Sequence, residues 1–179
     1  LVGSEMCIRD SAKSKEWLPI LPGTDGALAN AIAHVLLTEG LWNKDFVGDF
    51  ADGKNLFVPG KTVDPQAFKE NTLGLITYWN EEAKDWTPER AAKECRLDAE
   101  QIRRVAKAMG QAAPNVIVWM GPGVCMNPRG TYTAMVVHAL NGILGSVDNV
   151  GGTHDPVKSL SGKYPSMDKY ICLLYTSPS

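Results

Sequence analysis

The sequence predicts an α/β fold, in which two strand–loop–helix units flank a helical middle. Three observations predict it. An apolar run at residues 17–21 ends in a Pro22-Gly23 turn and leads into a helical pattern. A second apolar run, N-V-I-V-W-M at 115–120, has the two-faced apolarity of a central parallel strand. Between them lie segments with helix-start signals and 3.6-residue periodicity.

The elements follow in order. Residues 17–21 read as a buried strand. Thr24 or Asp25 caps the next helix, whose Ala27, Leu28, Ala31, Ile32, Val35 and Leu36 keep helical spacing until Gly40. Asn43 caps a short second helix through Phe50. Residues 51–72 are polar and turn-rich (Asp52-Gly53, Pro59-Gly60, Asp64-Pro65), with a small hairpin around 55–58. Thr87 followed by Pro88 starts a helix. Asp98 and Gln101 form a capping box for the next one, with Ile102, Val105, Ala106 and Met109 on one face and Gly110 after its end. Residues 121–130 form a loop with three Gly and two Pro. Residues 131–144 form a helix, 145–152 a second glycine-rich loop, and 154–170 an extended polar stretch with Pro156 and Pro165.

Composition excludes several classes. The chain has 179 residues, 44% hydrophobic and 21% charged, with net charge −2. That is ordinary globular composition, not disorder, collagen or a disulfide scaffold. No apolar run reaches the roughly 18 residues of a membrane-spanning helix. A sequence pI near 5.9 leaves no basic stripe for nucleic acid.

The ends read differently from the interior. The codons TGT CTC TTA TAC ACA TCT encode Cys172 to Ser177. Their reverse complement, read in one frame, is ATG TGT ATA AGA GAC, which encodes Met6 to Asp10. Residues 1–11 and 172–179 therefore resemble a translated sequencing adaptor and are set aside as tags would be. Of the cysteines, Cys95 and Cys125 then remain, without a C-x-x-C metal or redox signature.

Ligands in α/β folds sit in loops at the carboxyl ends of strands, with anions near helix N-termini. Residues 22–26 and 121–130 qualify. Gly121-Pro122-Gly123 begins like a G-x-G-x-x-G fingerprint, but its third Gly would fall at Met126. Arg129-Gly130-Thr131 has the wrong order for a P-loop. Each loop alone also suits an ordinary turn. A carboxylate at Asp25 suits the N1–H and N2–H₂ edge of guanine. His34 and His138 read as helix residues rather than ligands, and His154 carries no ligand signal. Asp85, Glu89 and Glu94 read as a solvated face. The five tryptophans (17, 42, 79, 86, 119) read as packing residues. No catalytic constellation stands out.

W-L-P-I-L-P-G-T-D-G-A-L-A-N-A-I-A-H (17–34), V-I-V-W-M-G-P-G-V-C-M-N-P-R-G (116–130) and H-A-L-N-G-I-L-G-S-V-D-N-V-G-G (138–152) together resemble molybdopterin oxidoreductases of the dimethyl sulfoxide reductase type. The resemblance implies Rossmann-like αβα domains: residues 12–40 end one guanosine-binding domain, 41–152 belong to a second, and 153–171 form a linker-like segment. It implies molybdenum held by two molybdopterin guanine dinucleotides. Gly23, Thr24 and Asp25 meet one guanosine. Gly121, Gly123, Met126 and Asn127 meet the other pterin dinucleotide, although the family often has Gln where Met126 stands. The family's iron–sulfur cysteines, molybdenum ligand and C-terminal domain lie outside the matching segment. The segment is thus expected to supply cofactor walls and no reacting groups, and to be inactive alone. Residues 33–50 and 127–132 lean toward respiratory reductases of inorganic oxyanions or sulfur compounds: arsenate first, then tetrathionate, thiosulfate and polysulfide. Such enzymes imply an iron–sulfur electron-transfer partner, in some cases a membrane-anchor subunit, and a periplasmic location. Read without the resemblance, the two loops also suit a non-catalytic nucleotide-binding module.

Overall fold

A computed structural model describes residues 13–58, 60–61 and 74–154. The adaptor-like ends, the Asp64-Pro65 turn and the stretch beyond His154 lie outside the described residues. Helices dominate: α1 (Asp25–Thr38), α2 (Leu75–Glu81), a 3₁₀ turn (Ala83–Asp85), α3 (Pro88–Cys95), α4 (Ala99–Ala112), a single turn α5 (Pro122–Cys125) and α6 (Gly130–Leu144). β1 (Phe50–Ala51) and β2 (Lys54–Asn55) pair antiparallel through Asp52-Gly53. Both turn residues have positive φ, 50° and 73°, which suits the tight hairpin.

The hairpin thus turns at the Asp-Gly pair, a few residues before the expected 55–58. Mixed helix with few strands agrees with α/β in the coarse sense, but no parallel sheet forms among the described residues. Neither of the two expected strands, 17–21 and 115–120, forms a strand among the described residues. Along 16–20 and 116–120 exposure alternates residue by residue. Leu18, Ile20, Val118 and Met120 turn inward, while Trp17, Ile117 and Trp119 are exposed. The expectation that 115–120 is covered on both faces is therefore corrected, as is a packing role for Trp17 and Trp119. Without an adjacent strand, the Val118 backbone pairs with a side chain. Its N–H donates to Asn141 Oδ1 at 2.9 Å, and Asn141 Nδ2 donates to its carbonyl at 2.8 Å.

α1 is the centre of the core and packs against α3, α4 and α6. Its Ala29, Ala31, Ile32, Ala33, Val35, Leu36 and Leu37 are buried, more than a one-faced helix would bury. Buried residues of α1 and of the described parts of 42–144 thus share one hydrophobic core. Thr87 caps α3 as expected, accepting from Arg90 N at 3.3 Å. The capping box at α4 is only half formed. Asp98 accepts from Glu100 N, but Gln101 reaches instead to Glu16 and the Trp17 carbonyl. α4 runs past Gly110 to Ala112, because this glycine is a packing residue: a Cβ there would lie 2.7 Å from Leu41 Cβ. Asn43 closes a single turn, its Oδ1 accepting from Asp45 N and Phe46 N, rather than a helix through Phe50.

Asp49 gives the fold a pH dependence. It is buried, and its Oδ2 accepts from Ile76 N at 2.7 Å, capping α2 from a distant loop. Burial pushes its carboxyl above the ordinary range, and the Ile76 hydrogen bond only partly offsets this. The folded chain therefore holds this proton more tightly than the unfolded chain. Its contribution to stability is fully present below the unfolded pKa, about 3.9, and is lost as pH rises through the higher folded value. Asp49→Asn keeps an acceptor and removes the charge. Urea midpoints should show the variant more stable than wild type at pH 7, with the difference shrinking as acid protonates Asp49.

Candidate functional site

The two glycine loops, about a hundred residues apart in sequence, converge. A groove of about 240 Å³ lies between them. Leu28, Ala29 and Ile32 of α1 and Val137 and Leu140 of α6 make an apolar floor. Leu18, Ile20 and residues 118–120 also line it. Pro22, Gly23, Asp25, Gly121, Gly123 and Val124 complete the lining.

Each expected site residue has a definite place. Gly23 has φ +86°, a backbone conformation that L side chains rarely adopt, and a Cβ there would meet nothing within 4 Å. Gly121 likewise opens onto free space. Asp25 is half-buried at the first position of α1, where a carboxylate complements the helix N-terminus. Thr24 does not line the groove. Its hydroxyl donates to the Leu21 carbonyl at 2.7 Å and closes the turn. It is the N-cap by backbone only, so the expected side-chain cap is not made. Asn127 also faces its own loop: Nδ2 donates to Val124 O at 2.7 Å and Oδ1 accepts from Arg129 N at 2.9 Å. Met126 is exposed and makes no part of the groove wall. The structure therefore brings Gly23, Asp25, Gly121 and Gly123 together, with Thr24 and Asn127 shaping the loops behind them.

The histidines follow their plain reading. His34 Nδ1 lies 2.7 Å from the Ala83 carbonyl, and its ring stacks on Trp79. His138 is exposed on α6, and His154 lies beside Asp148 at 3.7 Å. Glu89 is paired with Arg103 on an exposed helix face. Among the described residues no group of three or more His, Cys, Asp or Glu could hold a metal ion.

Three structural residues escaped the sequence reading. Gly130 lies against the Cys125 carbonyl so closely that any Cβ would overlap it. Asn141 holds residues 115–120 as described above. Asn30, fully buried in α1, bonds to Tyr78 and Tyr132. The available signal was an Asn within an apolar helix, where its helix propensity is poor and its amide must find partners.

The groove suits one end of a nucleotide better than a metal. Its apolar floor can cover a base plane, glycine backbones allow close approach, and one carboxylate can accept from a base edge.

No family model matches the chain. It is similar to the arsenate respiratory reductase molybdopterin-containing subunit of Chrysiogenes arsenatis, 52% identical over 161 residues, 89% of this chain and 19% of that protein. The corresponding subunit of Shewanella sp. strain ANA-3 is 50% identical over 163 residues, 90% of this chain and 19% of that protein. A probable dimethyl sulfoxide reductase chain of Escherichia coli K12 is 35% identical over 146 residues, 79% of this chain and 17% of that protein. The chain thus spans about a fifth of the length of these relatives. The resemblance drawn from the three motifs is borne out: the chain is a relative of molybdopterin oxidoreductases.

Proposed function

We propose that this relative of the molybdopterin-containing reductase subunits forms part of the cofactor-binding wall of a larger catalytic subunit. That subunit acts in respiratory reduction of an inorganic oxyanion or sulfur compound, with arsenate the first choice. The observation that carries the reading is the meeting of the 22–25 and 121–124 loops at one groove, in a chain half identical to two arsenate reductase subunits.

Both loops line one groove, so instead of the two separate dinucleotides that the resemblance assigns to them, the groove takes one guanosine end of a single molybdopterin guanine dinucleotide. Asp25 accepts hydrogen bonds from the N1–H and N2–H₂ edge of the base. Gly23, Gly121 and Gly123 let backbone approach the sugar and phosphates. Leu28, Ile32, Val137 and Leu140 exclude water from beneath the base. When bound, the group supplies two-electron redox and oxygen- or sulfur-atom chemistry at molybdenum. This chain's residues bind and orient; none of them reacts. In the larger protein, residues 17–21 and 115–120 serve as strands of a Rossmann-like sheet. An iron–sulfur cluster and an iron–sulfur partner subunit carry the electrons, and the enzyme works in the periplasm.

The test is the full-length subunit with and without Asp25→Ala. Losing a charge-assisted pair of hydrogen bonds costs roughly 1.5–3 kcal/mol of cofactor affinity, about ten- to a hundredfold. Wild type should reduce arsenate in preference to thiosulfate, with activity of the variant falling in step with its cofactor content. A wild-type enzyme that prefers thiosulfate would overturn the substrate choice. A variant with full cofactor content would overturn the role of Asp25.

A further inference from the structure

We propose that Asn30 and Tyr132 are positioning residues that set the spacing of the two glycine loops across the groove. The proposal rests on the reading of the groove as a nucleotide site, but its geometry is independent of any ligand. Neither residue lines the groove. Both act through the helices that the loops lead into.

Three hydrogen bonds form a one-way chain. Tyr78 Oη donates to Asn30 Oδ1 at 2.7 Å. Asn30 Nδ2 donates to Tyr132 Oη at 2.9 Å. Tyr132 Oη donates to Glu82 Oε2 at 2.6 Å. Each phenol donates once, and the chain ends on a carboxylate, which strengthens the last bond and polarises those before it. Asn30 is completely buried in α1. Tyr132 lies in the first turn of α6. Its link to Asn30 therefore ties the second turn of α1 to the first turn of α6.

One glycine brings the same helices close, and a second seats α6 on α5. A Cβ on Gly26 would lie 3.4 Å from Thr133 Oγ1 and 3.6 Å from Tyr132 Cε1, so the first turns of α1 and α6 are in near contact. Gly130 then lies directly on the Cys125 carbonyl. A continuous stiff path thus runs from Asp25 through Asn30, Tyr132 and Gly130 to Cys125. It spans from one loop to the other without crossing the groove. The link is made by tyrosine hydroxyl and asparagine amide, which fix direction as well as distance; apolar contact alone would allow sliding.

The test compares Tyr132→Phe with Tyr78→Phe in the full-length subunit. Each removes one hydroxyl from the same chain, but only the first severs α1 from α6. Amide hydrogen exchange is followed at Thr24 and Val124, whose N–H groups bond to Leu21 O and Gly121 O in the two loops. Tyr132→Phe should speed exchange at both positions by about five- to tenfold, the worth of one net hydrogen bond. Cofactor release should accelerate by a similar factor. Tyr78→Phe should loosen α2 and leave both loop amides near wild type. Glu82→Gln, which keeps an uncharged acceptor at the surface, should give an intermediate effect and guards against a variant that fails to fold. Equal loop exchange in the two tyrosine variants, or no change in Tyr132→Phe, would overturn the proposal. If wild type carries no nucleotide, the exchange data still decide the positioning role, and only the reading of the groove falls.

Discussion

Gly130→Ala should be strongly damaging, with a loss of about 4 kcal/mol or more, a size reserved for strain of this kind. The added methyl would overlap the Cys125 carbonyl, a backbone atom that no rotamer change can move. The first turn of α6 and the 122–125 turn would have to separate, opening the wall that holds Gly121 and Gly123. Gly142 on the same helix provides the control. A Cβ there meets nothing within 4 Å. Gly142→Ala should stabilise by roughly 0.5–1 kcal/mol, the usual gain for replacing a helical glycine. Denaturant midpoints of the two variants should therefore move in opposite directions. Similar midpoints would mean that the contact at Gly130 relaxes freely.

Asn141→Leu is the second large effect. Asn141 is 3% exposed and replaces a neighbouring strand for Val118, satisfying its N–H and its carbonyl together. Ser146 Oγ also donates to Asn141 Oδ1 at 3.1 Å. Leucine fills a similar volume but leaves both Val118 groups and the Ser146 hydroxyl without that partner. Each buried group left unsatisfied costs about 1–3 kcal/mol, so a loss of roughly 2–4 kcal/mol is expected after partial rehydration. Residues 115–121 should become the first point of proteolysis. Asn127→Ala breaks only bonds within its own exposed loop and should cost about 1 kcal/mol or less. An Asn141→Leu variant as stable as wild type would show that the extended segment is held by its apolar side chains alone.

Neither residue was legible in the sequence, whereas features fixed by local chemistry were. Thr87-Pro88 and the apolar spacing of 131–144 announced their helices, because capping and periodicity are local properties. The expected strands at 17–21 and 115–120 do not pair among the described residues, although exposure alternates along 16–20 and 116–120. Whether such segments pair depends on what lies beside them, which periodicity does not encode. Here Asn141 takes the neighbour's place. Gly110 looked like a helix stop and proved to be a contact point for Leu41, a distinction set only by packing across the core. At the candidate site, Gly23, Asp25, Gly121 and Gly123 were legible as loop residues with ligand chemistry. Their convergence was not, since it depends on Asn30, Tyr132, Gly26 and Gly130, which join distant helices. Thr24 and Asn127 carry polar groups in the right loops but use them on neighbouring backbone atoms.

The groove between the two glycine loops is assigned the nucleotide end of a pterin cofactor. The most direct measurement of that assignment is the guanine nucleotide released by acid hydrolysis from the purified full-length subunit, beside its molybdenum content. Wild type should release guanine nucleotide in fixed proportion to molybdenum, and Asp25→Ala should lose most of both. A wild-type subunit that carries molybdenum but releases no guanine nucleotide, or an Asp25→Ala variant that releases as much as wild type, would show that the groove does not hold that nucleotide.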